Sequence, residues 1–172
     1  MRNQQLGVGL IEVLIALFIL AIGVIGFALL QLRAIDASHE AMNKMQAMNL
    51  ARDLSEKIRA NASQYSEYAR RLNAESPSAS VKACVQLGAT NPCPTLAQFT
   101  AYDVAQIISQ ANQLAMKIKM PNCQLTHAGQ DRKCIYVAWG ETKAIDNGSD
   151  PNACTNGGSY LPQAQCIVME LY

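Results

Sequence analysis

Residues 7–32 read GVGLIEVLIALFILAIGVIGFALLQL, and this stretch determines how the rest of the chain is organised. One acid, Glu12, lies near its start, and the twenty residues 13–32 carry no charge. That length suffices for a helix across a hydrocarbon core of roughly 30 Å. The run is too long for the apolar part of a cleaved secretory signal and ends at no A-x-A-like site, so we expect it to remain as a membrane anchor.

A carboxylate within such a helix needs an explanation, because insertion there costs about 2.5–3.5 kcal/mol. One interpretation is a signal anchor with an incidental acid at the lipid interface. The other interpretation rests on the complete pattern of leader, glycine and acid. A short polar leader containing Arg2 ends at Gly7, and Glu12 is the fifth residue after that glycine.

This pattern resembles the amino-terminal signature of the type IV pilin superfamily. The resemblance implies that a membrane aspartyl peptidase cleaves on the cytoplasmic side after Gly7 and methylates the new amine of Val8. Glu12 corresponds to the acid of the family and is expected to set the registry between subunits. Val8 departs from the usual Phe, and Gly9 from the usual Thr or Ser. Cleavage after Gly9 is the alternative, but it would make Glu12 the third mature residue.

Composition limits the remaining possibilities. The chain has 172 residues, enough for one anchored domain, and its formal net charge of +1 gives no indication of a nucleic-acid partner. All six cysteines follow the anchor, which indicates disulfides in an oxidising compartment. No C-x-x-C motif occurs, and neither His39 nor His127 has metal-ligand spacing to a cysteine pair. We therefore expect no metal and no cofactor.

A long helix is predicted to continue beyond the membrane, since neither proline nor glycine occurs between Gly26 and Pro77. An apolar stripe at helical spacing then follows. The stripe comprises Ala47, Leu50, Ala51, Leu54 and Ile58. We predict one helix from about residue 8 to about residue 65, and the pilin resemblance implies that it is a spine helix. The predicted segments are a leader (1–7), a transmembrane half (8–32), an amphipathic half (33–65) and a globular periplasmic domain (66–172).

Residues 49–61, NLARDLSEKIRAN, carry a second resemblance. An A-x-D-L-x-E-x-x-R-A-N-like stretch after a pilin anchor is similar to the PilV group of minor pilins, also called type IV pilus modification proteins. Together with Trp139 in a late predicted strand, it favours this group within the superfamily.

The region beyond the spine predicts a helix and three strands. Thr95 and Gln98 fit a capping box, followed by a helix over about residues 96–115. Alternating segments at 116–120, 134–139 and 166–172 predict an antiparallel sheet. Residues 146–165 are expected to be turns without periodicity. The fold class is thus α+β and pilin-like, with a long N-terminal spine helix packed on a small, disulfide-stapled antiparallel sheet.

The cysteines allow fifteen disulfide connectivities, among which sequence alone does not decide. A hairpin centred on residues 128–129 would place Cys123 and Cys134 directly opposite each other, within disulfide range. Consecutive pairing is the connectivity that we expect. Its three pairs are Cys84–Cys93, Cys123–Cys134 and Cys154–Cys166.

No catalytic constellation is evident, so an enzyme is not expected. The acids Asp103, Asp131, Asp146 and Asp150 are interpreted as surface or turn residues, and His127 as a solvated residue of a hairpin tip. The leading hypothesis is a minor pilin of a type IV pilus, in the complex that primes assembly and remains at the tip. Alternatives are a minor pseudopilin of a type II secretion system and a tip adhesin with residues 146–165 as its binding loop.

The resemblance also implies partners and a location. The partners would be other minor pilins, the major pilin, prepilin peptidase and the inner-membrane assembly proteins, with no nucleic acid. The protein would lie in the inner membrane of a Gram-negative bacterium with a periplasmic domain, and then in the pilus on the cell surface.

Overall fold

A computed structural model describes residues 9–75, 78, 84, 93–124 and 132–171. The chain divides into two compact units, Met1–Met42 and Asn43–Tyr172. The predicted cleavage site at Gly7 and Val8 lies outside the described residues, as do His127, Asp131 and the predicted hairpin turn.

Among the described residues, three α-helices precede the strands. Helix α1 spans Leu10–Ala60, and after a 3-10 turn at Ala62–Gln64 the helices α2 and α3 span Tyr65–Leu72 and Leu96–Gln113. Six strands follow. They are β1 (Met116–Lys119), β2 (Cys134–Trp139), β3 (Lys143–Asp146), β4 (Ala153–Asn156), β5 (Ser159–Tyr160) and β6 (Cys166–Glu170).

The spine helix ends five residues earlier than predicted, at Ala60 instead of about residue 65. Asn61 leaves the helical conformation, with φ −129° and ψ 49°. Its buried side-chain amide donates to Oγ1 of Thr100 at 3.0 Å, which ties the end of α1 to α3. Helical structure resumes at Tyr65, so the prediction of one unbroken helix is wrong at this point. Helical periodicity alone does not show that an asparagine bonds to a distant segment.

The predicted stripe of α1 is buried in the main core. Ala47, Ala51 and Leu54 are completely buried, and Leu50 and Ile58 are 4% exposed. Helices α2 and α3 and one face of the sheet complete this core. Their contributions include Tyr68, Leu72, Val104, Ile107, Ile108, Ala111, Met116, Ile118, Ile135, Val137 and Trp139.

The predicted antiparallel sheet is present, with strand order β1-β2-β6. Every residue of the central strand β2 is buried. Ile135, Val137 and Trp139 face the helices, whereas Tyr136 and Ala138 face a second, smaller core. The predicted alternation of β2 is confirmed, and its two apolar faces show that both sides of the sheet are covered.

A second sheet covers the other face, and two of its three strands lie within residues 146–165, which were predicted to be turns. Its strand order is β3-β4-β5, with a parallel pair β3/β4 and an antiparallel pair β4/β5. The buried oxygens of Tyr136 and Thr155 lie 3.1 Å apart and join the two sheets. The expectation for residues 146–165 is therefore wrong, because strands of two to four residues among Asn, Gly and Pro carry too little alternation to be recognised.

Three disulfides join consecutive cysteines, with Cα–Cα distances of 5.2 Å for Cys84–Cys93, 4.9 Å for Cys123–Cys134 and 5.9 Å for Cys154–Cys166. The middle pair is not directly opposite, in contrast to the prediction. Asn122 is paired with Lys133, and the N–H of Cys123 donates to the carbonyl of Arg132. Cys123 and Cys134 therefore lie diagonally across the two chain segments. The third disulfide links β4 to β6 and thus one sheet to the other.

Candidate functional site

The first candidate site is the apolar part of α1. Every large apolar side chain from Leu10 to Ile35 is at least 49% exposed. This part of the helix is long and apolar enough to cross a membrane, and its most apolar stretch has no buried residue within the chain. Removing such side chains from water is worth about 1.5–3 kcal/mol each. The surface therefore requires lipid or other apolar helices around it.

Between Leu10 and Ile35, where Arg33 is the one basic residue, Glu12 is the one acid. It lies in the first turn of α1, where its N–H donates to the carbonyl of Gly9 at 2.9 Å. An acid at a helix N-terminus interacts favourably with the helix dipole, by about 0.3–1 kcal/mol when exposed. The described part of the chain supplies no side-chain cation to this carboxylate, so any such partner comes from elsewhere.

Two glycines within the apolar helix lack a packing reason inside the chain. A Cβ atom added at Gly23 or Gly26 would meet nothing within 4 Å. A glycine in a helix interior costs about 1 kcal/mol relative to alanine. No close contact within the described part of the chain therefore explains either glycine.

A buried polar cluster lies at the junction of the three helices. Asp103 is 3% exposed and not a surface residue as predicted. Its Oδ2 accepts from the Tyr68 hydroxyl at 2.5 Å, and its Oδ1 lies 3.5 Å from Nζ of Lys57. Tyr68 is completely buried. Burial, reinforced by the Asp103 carboxylate, raises the pKa of Tyr68 well above its usual range, so that its hydroxyl remains a donor at neutral pH.

A sequence signal for this cluster exists. Asp103 stands four residues before Ile107, on the face of α3 that was predicted to be inward, and Thr100 stands four before Val104. Polar residues on an inward face predict buried partners. The partners of Asp103 are Lys57 and Tyr68 on other helices, and that of Thr100 is Asn61 after α1. Spacing within α3 could not identify these distant residues. The cluster holds helices together and presents no exposed reactive group.

Two other features concern the charged and polar side chains of the unit Asn43–Tyr172, hereafter the head. Glu67 accepts from both Arg70 and Arg71 along α2, at 2.6 Å from each, which lowers the pKa of its carboxyl to about 2. Among the described residues, no three His, Cys, Asp or Glu side chains group together as metal ligands.

Comparison with known proteins gives two family matches. Residues 2–28 match the prokaryotic N-terminal methylation motif, and residues 29–105 match a family described as Tt1218-like, type IV pilin Tt1218. The two matches meet within the apolar helix and extend into α3. No curated protein and no solved structure matches the chain.

Proposed function

We propose that this chain is a minor pilin of the PilV group, because residues 2–28 match the prokaryotic N-terminal methylation motif and residues 29–105 match a type IV pilin family. In this proposal it is held in the inner membrane with its head in the periplasm, and it then enters a complex that primes a type IV pilus and remains at the tip. The observation that carries the proposal is the exposed apolar helix with one acid in its first turn.

Maturation is the first step of the proposed function. Prepilin peptidase cleaves after Gly7 and methylates the amine of Val8. Cleavage at that bond removes Arg2 and leaves an amine four residues before Glu12. This creates a cation at the start of residues 8–32, a segment in which Glu12 is the only charged side chain.

Glu12 is proposed to set the registry between subunits. An amine four residues away on the same helix reaches Glu12 poorly, whereas the amine of a staggered neighbour reaches it readily. In an apolar surrounding, a charge that loses its partner costs about 3–5 kcal/mol. This cost is avoided only when neighbouring subunits are staggered so that the Val8 amine of one pairs with the Glu12 carboxylate of the next.

A low-copy position is supported by the helix itself. The resemblance implies that major pilins usually break the membrane helix at a proline, whereas α1 has none and is helical from Leu10 to Ala60. The partners in this proposal are the other minor pilins, the major pilin and the inner-membrane assembly proteins.

Deletion of the gene tests this function against its alternatives. We expect surface pili to fall sharply, secreted enzymes to stay at wild-type levels, and the wild-type gene to restore piliation. Normal piliation with loss of secreted enzymes would identify a pseudopilin instead. Normal piliation with loss of adhesion would identify a tip adhesin.

A further inference from the structure

Within the described part of the chain, no strand pairs with the outer edge of β1. β1 pairs on one side with β2, and register pairs such as Lys117 with Ala138 define the ladder. Past the end of β1, the N–H of Cys123 still donates to the carbonyl of Arg132, in the segment that leads into β2. Because hydrogen bonding alternates along an antiparallel pair, the odd-numbered residues of β1 direct their N–H and C=O groups towards β2. The N–H and C=O of Ile118 consequently point away from β2, to the free edge.

At one end of this edge, a side chain takes the place of a neighbouring strand. Asn73 Oδ1 accepts from the N–H of Met120 at 2.9 Å, and Asn73 Nδ2 donates to the carbonyl of Met120 at 2.8 Å. Two residues earlier, within the described part of the chain, Ile118 has no hydrogen-bond partner at this edge. Ile118 is only 6% exposed. The N–H and C=O of Ile118 are therefore available to pair with a further strand.

A cavity of about 330 Å³ lies along the open edge. Its apolar lining comes from α3, β1 and β3 and includes Ile108, Ala111, Ile118, Ala144 and Ile145. Three lysines, Lys117, Lys119 and Lys143, also line it, against one acid, Glu75. Lys143 is neutralised by Asp150 at 2.6 Å, whereas Lys117 and Lys119 have no acidic partner in the described part of the chain.

We infer that this cleft, hereafter the β1 cleft, binds an extended acidic segment of another protein subunit, which adds a strand to β1. Neighbouring strands place their side chains on the same faces. Beside Ile118, the added strand would face Ile108 and Ala111 and requires apolar side chains. At alternate positions it would lie beside Lys117 and Lys119 and requires carboxylates. The partner segment therefore alternates apolar and acidic residues.

The test uses the full-length chain in detergent micelles and a fluorescein-labelled peptide that alternates Val and Glu over six residues. A peptide with Lys in place of every Glu is the control. We expect saturable binding of the Glu peptide, measured by anisotropy, and none of the Lys peptide. Lys117→Glu should weaken binding about fivefold or more, since it turns an attraction into a repulsion. Lys44→Glu makes the same charge change on an exposed part of α1 and should leave binding unchanged.

Two isomeric peptides test whether a strand is added. One is N-methylated on its Val residues and the other on its Glu residues, so that composition and charge are the same. Every second N–H of an added strand faces β1, so one isomer should lose about tenfold or more in affinity while the other keeps it. Equal binding of both isomers, loss of both, or no binding of the unmodified Glu peptide would overturn the inference.

Other occupants give distinguishable results. If the β1 cleft held an amphiphilic anion instead, dodecanoate would displace the Glu peptide and the two isomers would not differ, which also overturns the inference. The measurement uses the purified chain alone. Its result therefore does not depend on whether deletion of the gene affects pili.

Discussion

The hydroxyl of Tyr68 lies 2.5 Å from Oδ2 of Asp103, and both side chains are buried where α2 meets α3. Lys57 of α1 approaches the same carboxylate at 3.5 Å. One buried acid thus has partners on two other helices. Removing one partner from a buried charge leaves it unsatisfied, so this cluster makes the relative placement of the three helices specific.

Tyr68→Phe should destabilise the head by about 1–3 kcal/mol, because the buried Asp103 carboxylate loses its short hydrogen bond. Urea denaturation of the chain in detergent measures this loss. Tyr102→Phe is the matched control, since Tyr102 is half-buried on α3 and its hydroxyl bonds only within the helix, to Gln106. Equal effects of the two substitutions would show that the bond to Asp103 contributes nothing specific.

Stability should fall at alkaline pH because of Tyr68. Its pKa in the folded protein is raised above the ordinary value of 10.0, mainly by burial. The unfolded chain therefore loses the proton first, and the stabilisation is complete below that ordinary value and lost as pH rises beyond it. Urea midpoints at about pH 8 and about pH 11 should differ more for the wild type than for Tyr68→Phe. Tyr102→Phe should retain the wild-type difference.

Loss of the disulfide Cys154–Cys166 should separate the two sheets. Replacing both cysteines with alanine should cost about 2–4 kcal/mol and weaken the near-UV circular dichroism, since the contact of Tyr136 with Thr155 lies between the joined sheets. Replacing Cys84 and Cys93 is the control, because that pair joins no strands. A control variant with the larger spectral change would contradict this role.

The leader is expected to be removed in the native host. Mass spectrometry should find a chain that begins at Val8 with a methylated amine. Gly7→Leu should leave the precursor intact, because the bulky side chain occupies the residue before the cleaved bond. A native chain that still begins at Met1 beside an active prepilin peptidase would refute the assignment of Gly7 and Val8.

Glu12→Ala should separate assembly from insertion. The variant should insert, because its helix becomes more apolar, and should be cleaved, because Gly7 is unchanged. Without the carboxylate it should fail to co-purify with neighbouring pilins, and piliation should fall. Glu40→Ala is a control, an acid on the same helix beyond the apolar stretch. Wild-type co-purification and piliation with Glu12→Ala would show that the carboxylate does not set registry.

The sequence by itself determined the features that repeat along the chain. An uncharged run of twenty residues indicates the anchor, the stripe from Ala47 to Ile58 indicates the buried face of α1, and alternation in β2 indicates its two faces. The capping box of α3 was also recognisable, and Thr95 and Gln98 form it reciprocally at 3.3 Å. These features depend on neighbours within four residues, so local spacing is enough to reveal them.

The tertiary structure alone decided what depends on distant partners. Asn61 ends α1 because Thr100 lies beside it, and Asp103 is buried because Lys57 and Tyr68 compensate its charge. The second sheet has strands too short for a periodic signal and is held by Tyr136 and by Cys166 from the first sheet. The open edge of β1 is likewise visible only once the strand order is known. Each of these features depends on contacts between residues that are far apart in sequence, and composition and periodicity carry no information about such contacts.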